Sequence, residues 1–169
     1  SAGMTAADTM VKTADVDIIE AETVCPGKYI VIVTGELSAV NASVEAAKTV
    51  HSMHLIDSFV LGNPADEIFP AIYGASKVEI VNSLGIIETY DAAAIIVAAD
   101  QAAKTAEVSL IEIRLARGMC GKSYLLITGE VAAVEAAIAR AQKAVEPRGV
   151  YLDSSVIARP DKKLIDQIL

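Results

Sequence analysis

Two cysteines in this chain sit where they could hold a metal or carry electrons. Cys25 lies in Thr23-Val24-Cys25-Pro26-Gly27-Lys28, and Cys120 in Arg117-Gly118-Met119-Cys120-Gly121-Lys122. Thiolate is the usual ligand of iron–sulfur clusters and also takes zinc. One thiolate is too few for either, and a lone cysteine is most often a small core hydrophobe. Pro26 and Gly27 favour an exposed, rigid turn over a core position. Lys28 and Arg117, where close, favour the thiolate form. His51 and His54 lie three apart on an expected helix, a spacing that suits a metal, but no third ligand is near in sequence. Gly121-Lys122-Ser123 ends like a phosphate-binding loop, yet position 116 is alanine where that motif needs glycine, and a strand follows instead of a helix. No Ser/His/Asp or paired-carboxylate arrangement stands out. Glu88 and Glu112 fall on strands with no assignable role. The chain reads as non-catalytic.

Composition narrows the classes. The 169 residues are 53% hydrophobic and 21% charged, so a core can form. Aromatic residues are only 4% and Trp is absent, so that core must be built from Ala, Val, Ile and Leu. A formal net charge of −8 argues against nucleic-acid binding, which needs a basic footprint. No stretch approaches the ~20 consecutive apolar residues of a membrane helix. Without a secretory-signal pattern, two cysteines point to a reducing cytoplasm and to thiol or ligand chemistry more than to a structural disulfide.

The elements that must position these loops follow from periodicity. A helix is expected from Gly3 to Ala14, with Met4, Ala7, Met10, Val11 and Ala14 at helical spacing. Strands are expected at Asp17 to Ala21 and Tyr29 to Val33, on either side of the first cysteine loop. Ser38 is the expected cap of a helix running to about Met53. A strand at Ile56 to Leu61, a turn at Gly62-Asn63-Pro64 and a short helix from Asp66 to Tyr73 come next. Gly74 to Asn82 reads as a linker. The second half is expected as strand Leu84 to Glu88, helix Ala92 to Ala106, strand Ser109 to Leu115, the second cysteine loop, strand Ser123 to Ile127, helix Val131 to Val145, strand Val150 to Val156 and helix Asp161 to Leu169.

The halves repeat. Asp8 to Lys12 answers Asp100 to Lys104 at a shift of 92, Gly27-Lys28 answers Gly121-Lys122 at 94, and Asp57-Ser58 and Pro64 answer Asp153-Ser154 and Pro160 at 96. Matches that keep their order while the shift grows at loops mark a tandem duplication. The expected domains are residues 1–75 and 80–169. The second repeat opens on the strand Leu84 to Glu88, and the first has no counterpart to it. The repeat therefore predicts a native chain that starts about ten residues earlier.

In this order, Ala7-Asp8-Thr9-Met10-Val11-Lys12-Thr13-Ala14-Asp15-Val16, the Gly-Lys loop, Val33-Thr34-Gly35-Glu36-Leu37-Ser38-Ala39-Val40, Leu84-Gly85-Ile86-Ile87-Glu88-Thr89 and Val156-Ile157-Ala158-Arg159-Pro160 resemble tandem bacterial-microcompartment shell (BMC) domains. The resemblance covers nearly all of the chain. It implies an α/β (α+β) fold of two tandem ferredoxin-like BMC domains, with antiparallel sheets and helices, forming a trimer that mimics a hexamer. Val24-Cys25-Pro26-Gly27-Lys28-Tyr29 resembles the T-type branch found in propanediol-utilisation compartments. That branch implies Cys25 at the threefold axis, where three chains share an iron–sulfur cluster, [4Fe-4S] in type, for electron transfer or cluster passage across the shell. Zinc with three thiolates and water is the chemical runner-up. Val24, Pro26, Gly27, Lys28, Met119, Cys120, Gly121 and Lys122 would form the pore loops. Met119 stands where Cys25 does, so the second loop should supply no axial ligand.

The resemblance also implies an assembly-edge role for Lys12 and Lys104, with Arg159 beside them; the first repeat has Asn63 at the place of Arg159. Expected partners are two further copies of this chain, other microcompartment shell proteins and encapsulated redox enzymes, with no nucleic acid and no membrane. The expected location is the shell of a cytoplasmic microcompartment. Two other readings stay open: a metal-free pore passing small metabolites, whose bore Val24, Gly27 and Met119 would set, and a soluble trimeric ligand-binding protein.

Overall fold

The computed structural model describes residues 1–78 and 82–169. By internal packing the chain divides into two units, Ser1–Gly62 and Asn63–Leu169. Part of the expected linker, at positions 79–81, lies outside the described residues.

The first unit runs α1 (Ala2–Thr13), β1 (Asp17–Val24), β2 (Lys28–Thr34) and α2 (Leu37–Val50), and then a 3₁₀ turn at Ser52–His54. Strands β1 and β2 form an antiparallel hairpin in which Asp17 pairs with Thr34 and Val24 with Lys28. Continuous apolar sequence makes β2 a strand; alanine-rich sequence, the best helix former, makes α2 a helix. Helix α2 begins after Glu36, not at a Ser38 cap, and no side chain caps it. Its Ser43 is fully buried and donates to the main-chain carbonyl of Met10 at 2.8 Å, which ties α2 to α1.

The expected strand at Ile56 to Leu61 does not form: these residues carry no strand pairing. The reason lies in the repeat. The matching segment of the second unit pairs with only one strand, and among the described residues the first unit has no counterpart of that strand. Apolar sequence alone cannot make a strand when its backbone N–H and C=O groups have no ladder to join.

The second unit runs α3 (Ile68–Ile72), β3 (Ser83–Thr89), α4 (Ala92–Thr105), β4 (Val108–Arg114), β5 (Ser123–Gly129), α5 (Val131–Val145), β6 (Tyr151–Ala158) and α6 (Lys162–Ile168), with a 3₁₀ turn at Glu146–Arg148 before β6. Its antiparallel sheet has the order β4-β5-β3-β6. Pro70 falls in the first turn of α3, where its missing N–H costs no helical bond. Asp91 caps α4 by accepting from the Ala94 N–H at 2.7 Å. Leu84, Ile87, Ile95, Ile113, Leu125, Ile127, Val134 and Val145 are fully buried in the second unit. Each such side chain stabilises the fold by about 1.5–3 kcal/mol.

The duplication is visible in detail. Pairing slips between Ile18 and Glu20 in β1 and between Leu110 and Glu112 in β4, so both hairpins carry the same irregularity 92 residues apart. Among the described residues, no helix is long and apolar enough to cross a membrane.

Candidate functional site

The first cysteine loop is the tip of the β1–β2 hairpin. Val24 and Lys28 form its last pair, which leaves Cys25, Pro26 and Gly27 as the connection. Gly27 takes φ +74°, the left-handed region that glycine enters without strain, and a Cβ there would meet nothing within 4 Å. The Cys25–Pro26 peptide is cis. Val24 is buried while Cys25 is exposed and free of any disulfide. The residues before the turn therefore anchor it, and its thiol projects to solvent.

The second loop is longer, spanning 115–122 between β4 and β5. Leu115 and Ala116 are buried at its start, and the Ala116 N–H donates to the buried Ser123 hydroxyl at 3.0 Å. Its far end is turned by the Lys122 N–H donating to the Met119 carbonyl at 3.1 Å, with Gly121 at φ +88°. Cys120 is exposed and has φ +54°, an uncommon conformation for a residue with a Cβ. Met119 is half-buried. Among the described residues, no three His, Cys, Asp or Glu side chains come together as a metal site within the chain. His51 Nε2 instead lies 3.2 Å from the Thr9 hydroxyl, and His54 sits in the 3₁₀ turn. Among the described residues the histidine pair thus has no third ligand in space either.

The two lysines at repeat-matched positions differ in surroundings. Lys12 pairs with Asp8 at 2.6 Å and both are exposed. Lys104 pairs with Asp100 at 2.7 Å and also donates to the main-chain carbonyl of Asn63 at 2.7 Å. Asp100 is 1% exposed and accepts the Ala65 N–H at 3.0 Å. Asn63 and Arg159, matched in the repeat, take φ +55° and +49°, and each precedes a proline. The Arg159 N–H donates to the Asn82 carbonyl at 3.1 Å.

The matches with known proteins follow this geometry. Residues 1–64 and 83–160 each fit the model of the BMC domain. The chain belongs to the BMC-domain family. It is 35% identical over 167 residues, 99% of its length and 91% of the relative's, to the bacterial microcompartment shell protein PduT of Citrobacter freundii. A solved microcompartment protein of Desulfitobacterium hafniense superposes with a TM-score of 0.90 at 44% identity, covering 98% of this chain and 92% of that one. The fused permuted hexameric shell protein MSM0275 shares the fold, with a TM-score of 0.64 at 20% identity over 85% of this chain and 75% of that one. The chain is thus a structural microcompartment shell protein with two BMC domains, of a family that oligomerises and assembles with other shell proteins.

One cluster on this shell-domain chain escaped the sequence reading. The Tyr124 hydroxyl donates to Glu112 at 2.9 Å, Arg114 binds the other carboxylate oxygen through Nε at 2.8 Å, and its guanidinium lies 5.6 Å from the Tyr124 ring centre. Burial, and then the bond to Glu112, push the Tyr124 hydroxyl above its ordinary 10.0. The bond to Glu112 is the largest cause raising Arg114. A signal was present: Glu112 and Arg114 two apart on a strand share a face, and Tyr124 is the register partner of Arg114.

Proposed function

We propose that this chain is a trimeric tile of the shell, and that three copies of Cys25 meet at its axis to hold one iron–sulfur cluster, [4Fe-4S] in type. The observation that carries the reading is the exposed Cys25 thiol at the tip of a three-residue turn, with no group of three His, Cys, Asp or Glu side chains around it in its own chain among the described residues. The donor set fits only when it is shared. One thiolate holds nothing, whereas three supply the protein ligands of a four-iron cluster and leave one iron to water or another ligand. Met119 at the matching place in the second loop means the repeat adds no competing thiolate there. When bound, such a cluster supplies one-electron exchange.

In the shell this would carry electrons across the wall to encapsulated redox enzymes, or pass a cluster through it, and the filled axis would exclude small metabolites. The chain's own part is to present the thiol at the exposed tip of the β1–β2 turn. The PduT similarity supports a tile role in a comparable shell.

The test is anaerobic purification of the native protein and the Cys25→Ala and Cys120→Ala variants, with native mass, visible spectrum, and iron and sulfide analysis. Broad absorbance near ~400 nm, with iron at one cluster per three chains and lost only in Cys25→Ala, is expected. An iron-free, colourless native trimer would overturn the cluster and leave the axis as an open pore. Zinc bound in the same stoichiometry would make the site structural.

A further inference from the structure

We infer that His51 and His54 form a zinc site that closes only between two copies of this chain, each giving two imidazoles to one ion. The inference uses neither cysteine and does not rest on the axial cluster.

The chain has 2 histidines in 169 residues, and both fall at one turn. His51 precedes the 3₁₀ turn Ser52–His54, and the His54 N–H donates to the His51 carbonyl at 2.9 Å. Side chains three apart eclipse in such a turn, so the two imidazoles leave the backbone on the same side. The first ring is already oriented. The Thr9 hydroxyl has one hydrogen and donates it to the Thr5 carbonyl at 2.9 Å. Its oxygen therefore accepts from His51 Nε2 at 3.2 Å. That puts the ring proton on Nε2 and leaves the Nδ1 lone pair for a metal. A ligating histidine almost always gives its other ring N–H to an acceptor in this way.

The turn itself does not need histidine. It recurs 94 residues later as Glu146–Arg148, with Val145 and Arg148 at the places of His51 and His54. Val145 is fully buried there, whereas His51 is half-buried and His54 exposed. Packing and turn geometry are thus met without an imidazole, and only the first repeat carries the pair. Around it the surface is apolar: Val50 is 65% exposed, Met53 91% and Ile56 62%. Imidazole suits zinc, but two imidazoles fill only half of its tetrahedral shell. Among the described residues no third His, Cys, Asp or Glu joins them. The missing half is the same pair on a second copy, related by a two-fold axis that places like patches face to face. The exposed Val50 and Met53 of the two copies would then cover each other around the ion.

The test is sedimentation and zinc analysis of the native protein, with zinc chloride added and then withdrawn by EDTA, beside His51→Ala, His54→Ala, Thr9→Val and Thr9→Ser. The native protein should gain mass with zinc and lose that gain with EDTA. It should bind one zinc per two chains beyond what His54→Ala holds. Either histidine variant should abolish the gain with an unchanged helical spectrum. If His51→Ala loses that spectrum, His54→Ala, at an exposed position, decides. Thr9 is a positioning residue: Thr9→Val should weaken the zinc-dependent association at least ~tenfold, and Thr9→Ser should restore it. Zinc-dependent association that persists in the histidine variants would overturn the site, because the thiols would then carry it. Zinc held by the pair with no gain in mass would overturn the bridge between copies. A native protein that takes up no more zinc than His54→Ala would overturn both.

Discussion

The carboxylate of Asp100 accepts the main-chain N–H of Ala65 at 3.0 Å from a position that is 1% exposed, and Lys104 closes the arrangement on the Asn63 carbonyl. Removing the carboxylate strands a half-buried donor and frees the tail of the first repeat. Asp100→Ala should lower stability by about 1–3 kcal/mol, and Asp100→Asn, which keeps an acceptor oxygen, by less. Urea unfolding measures the loss, and faster hydrogen exchange at Ala65 locates it. In the isolated chain Asp8→Ala breaks only an exposed pair and should cost under about 1 kcal/mol. Equal losses at the two sites would contradict this contrast.

Gly85 sits in the middle of β3 because there is no room for more. A Cβ there would stand 2.6 Å from Val134 Cγ1, 2.7 Å from Ile127 Cγ1 and 3.1 Å from Ile138 Cγ1. Both Val134 and Ile127 are fully buried. Gly85→Ala should destabilise the second unit by about 1–3 kcal/mol through overpacking. Combining it with Val134→Ala, which opens space at the nearest atom, should cost less than the two single changes added together. Strict additivity in thermal unfolding would refute the steric account.

Alkaline stability should depend on Tyr124. Its hydroxyl is raised by burial and by the bond to Glu112, so the folded chain holds this proton more tightly than the unfolded one does. The sign is therefore fixed: the contribution is complete below the ordinary 10.0 and is lost as pH rises through the higher folded value. Tyr124→Phe removes that titration, and its stability should fall less steeply above pH ~10 than that of the native chain. Parallel curves for the two proteins would argue against it.

Thiol chemistry separates the two cysteines. Both are exposed, so a thiol reagent should modify two groups per metal-free chain quickly. In protein carrying the proposed axial cluster, Cys25 should be protected and Cys120 should still react. Mass mapping of the modified residue decides this, and equal protection of both would move Cys120 into the ligand set.

The sequence revealed most of the elements because hydrophobic period and turn chemistry are local. Helix α5 was legible to the residue, and β3 and β4 to within one at each end, since alanine-rich and β-branched runs alternate cleanly around glycine turns. Ile56 to Leu61 was misread because strand formation depends on a partner strand, which a local apolar run does not reveal. The exposed turn at Cys25 was legible from Pro26 and Gly27. The grip of Lys104 on Asn63 was not, because it joins residues 41 apart through a main-chain carbonyl, an acceptor every residue offers. The Glu112–Tyr124–Arg114 cluster was half-legible, as it needs both the strand spacing and the register across β4 and β5.

The division of burial between the two units also sets an order of opening. The first unit has a two-stranded hairpin and, among the described residues, only Ala7, Met10, Val16 and Val24 as buried apolar side chains. A hairpin alone is marginal in water, whereas the second unit has four strands and most of the core. Amide protection in β1 and β2 should therefore collapse at lower denaturant than protection in β3 and β5, as a separate cooperative step. An isolated chain would spend part of its time with one half open and the other closed. Whatever covers the first half in a shell would then also decide how long the chain survives proteolysis before it is built in.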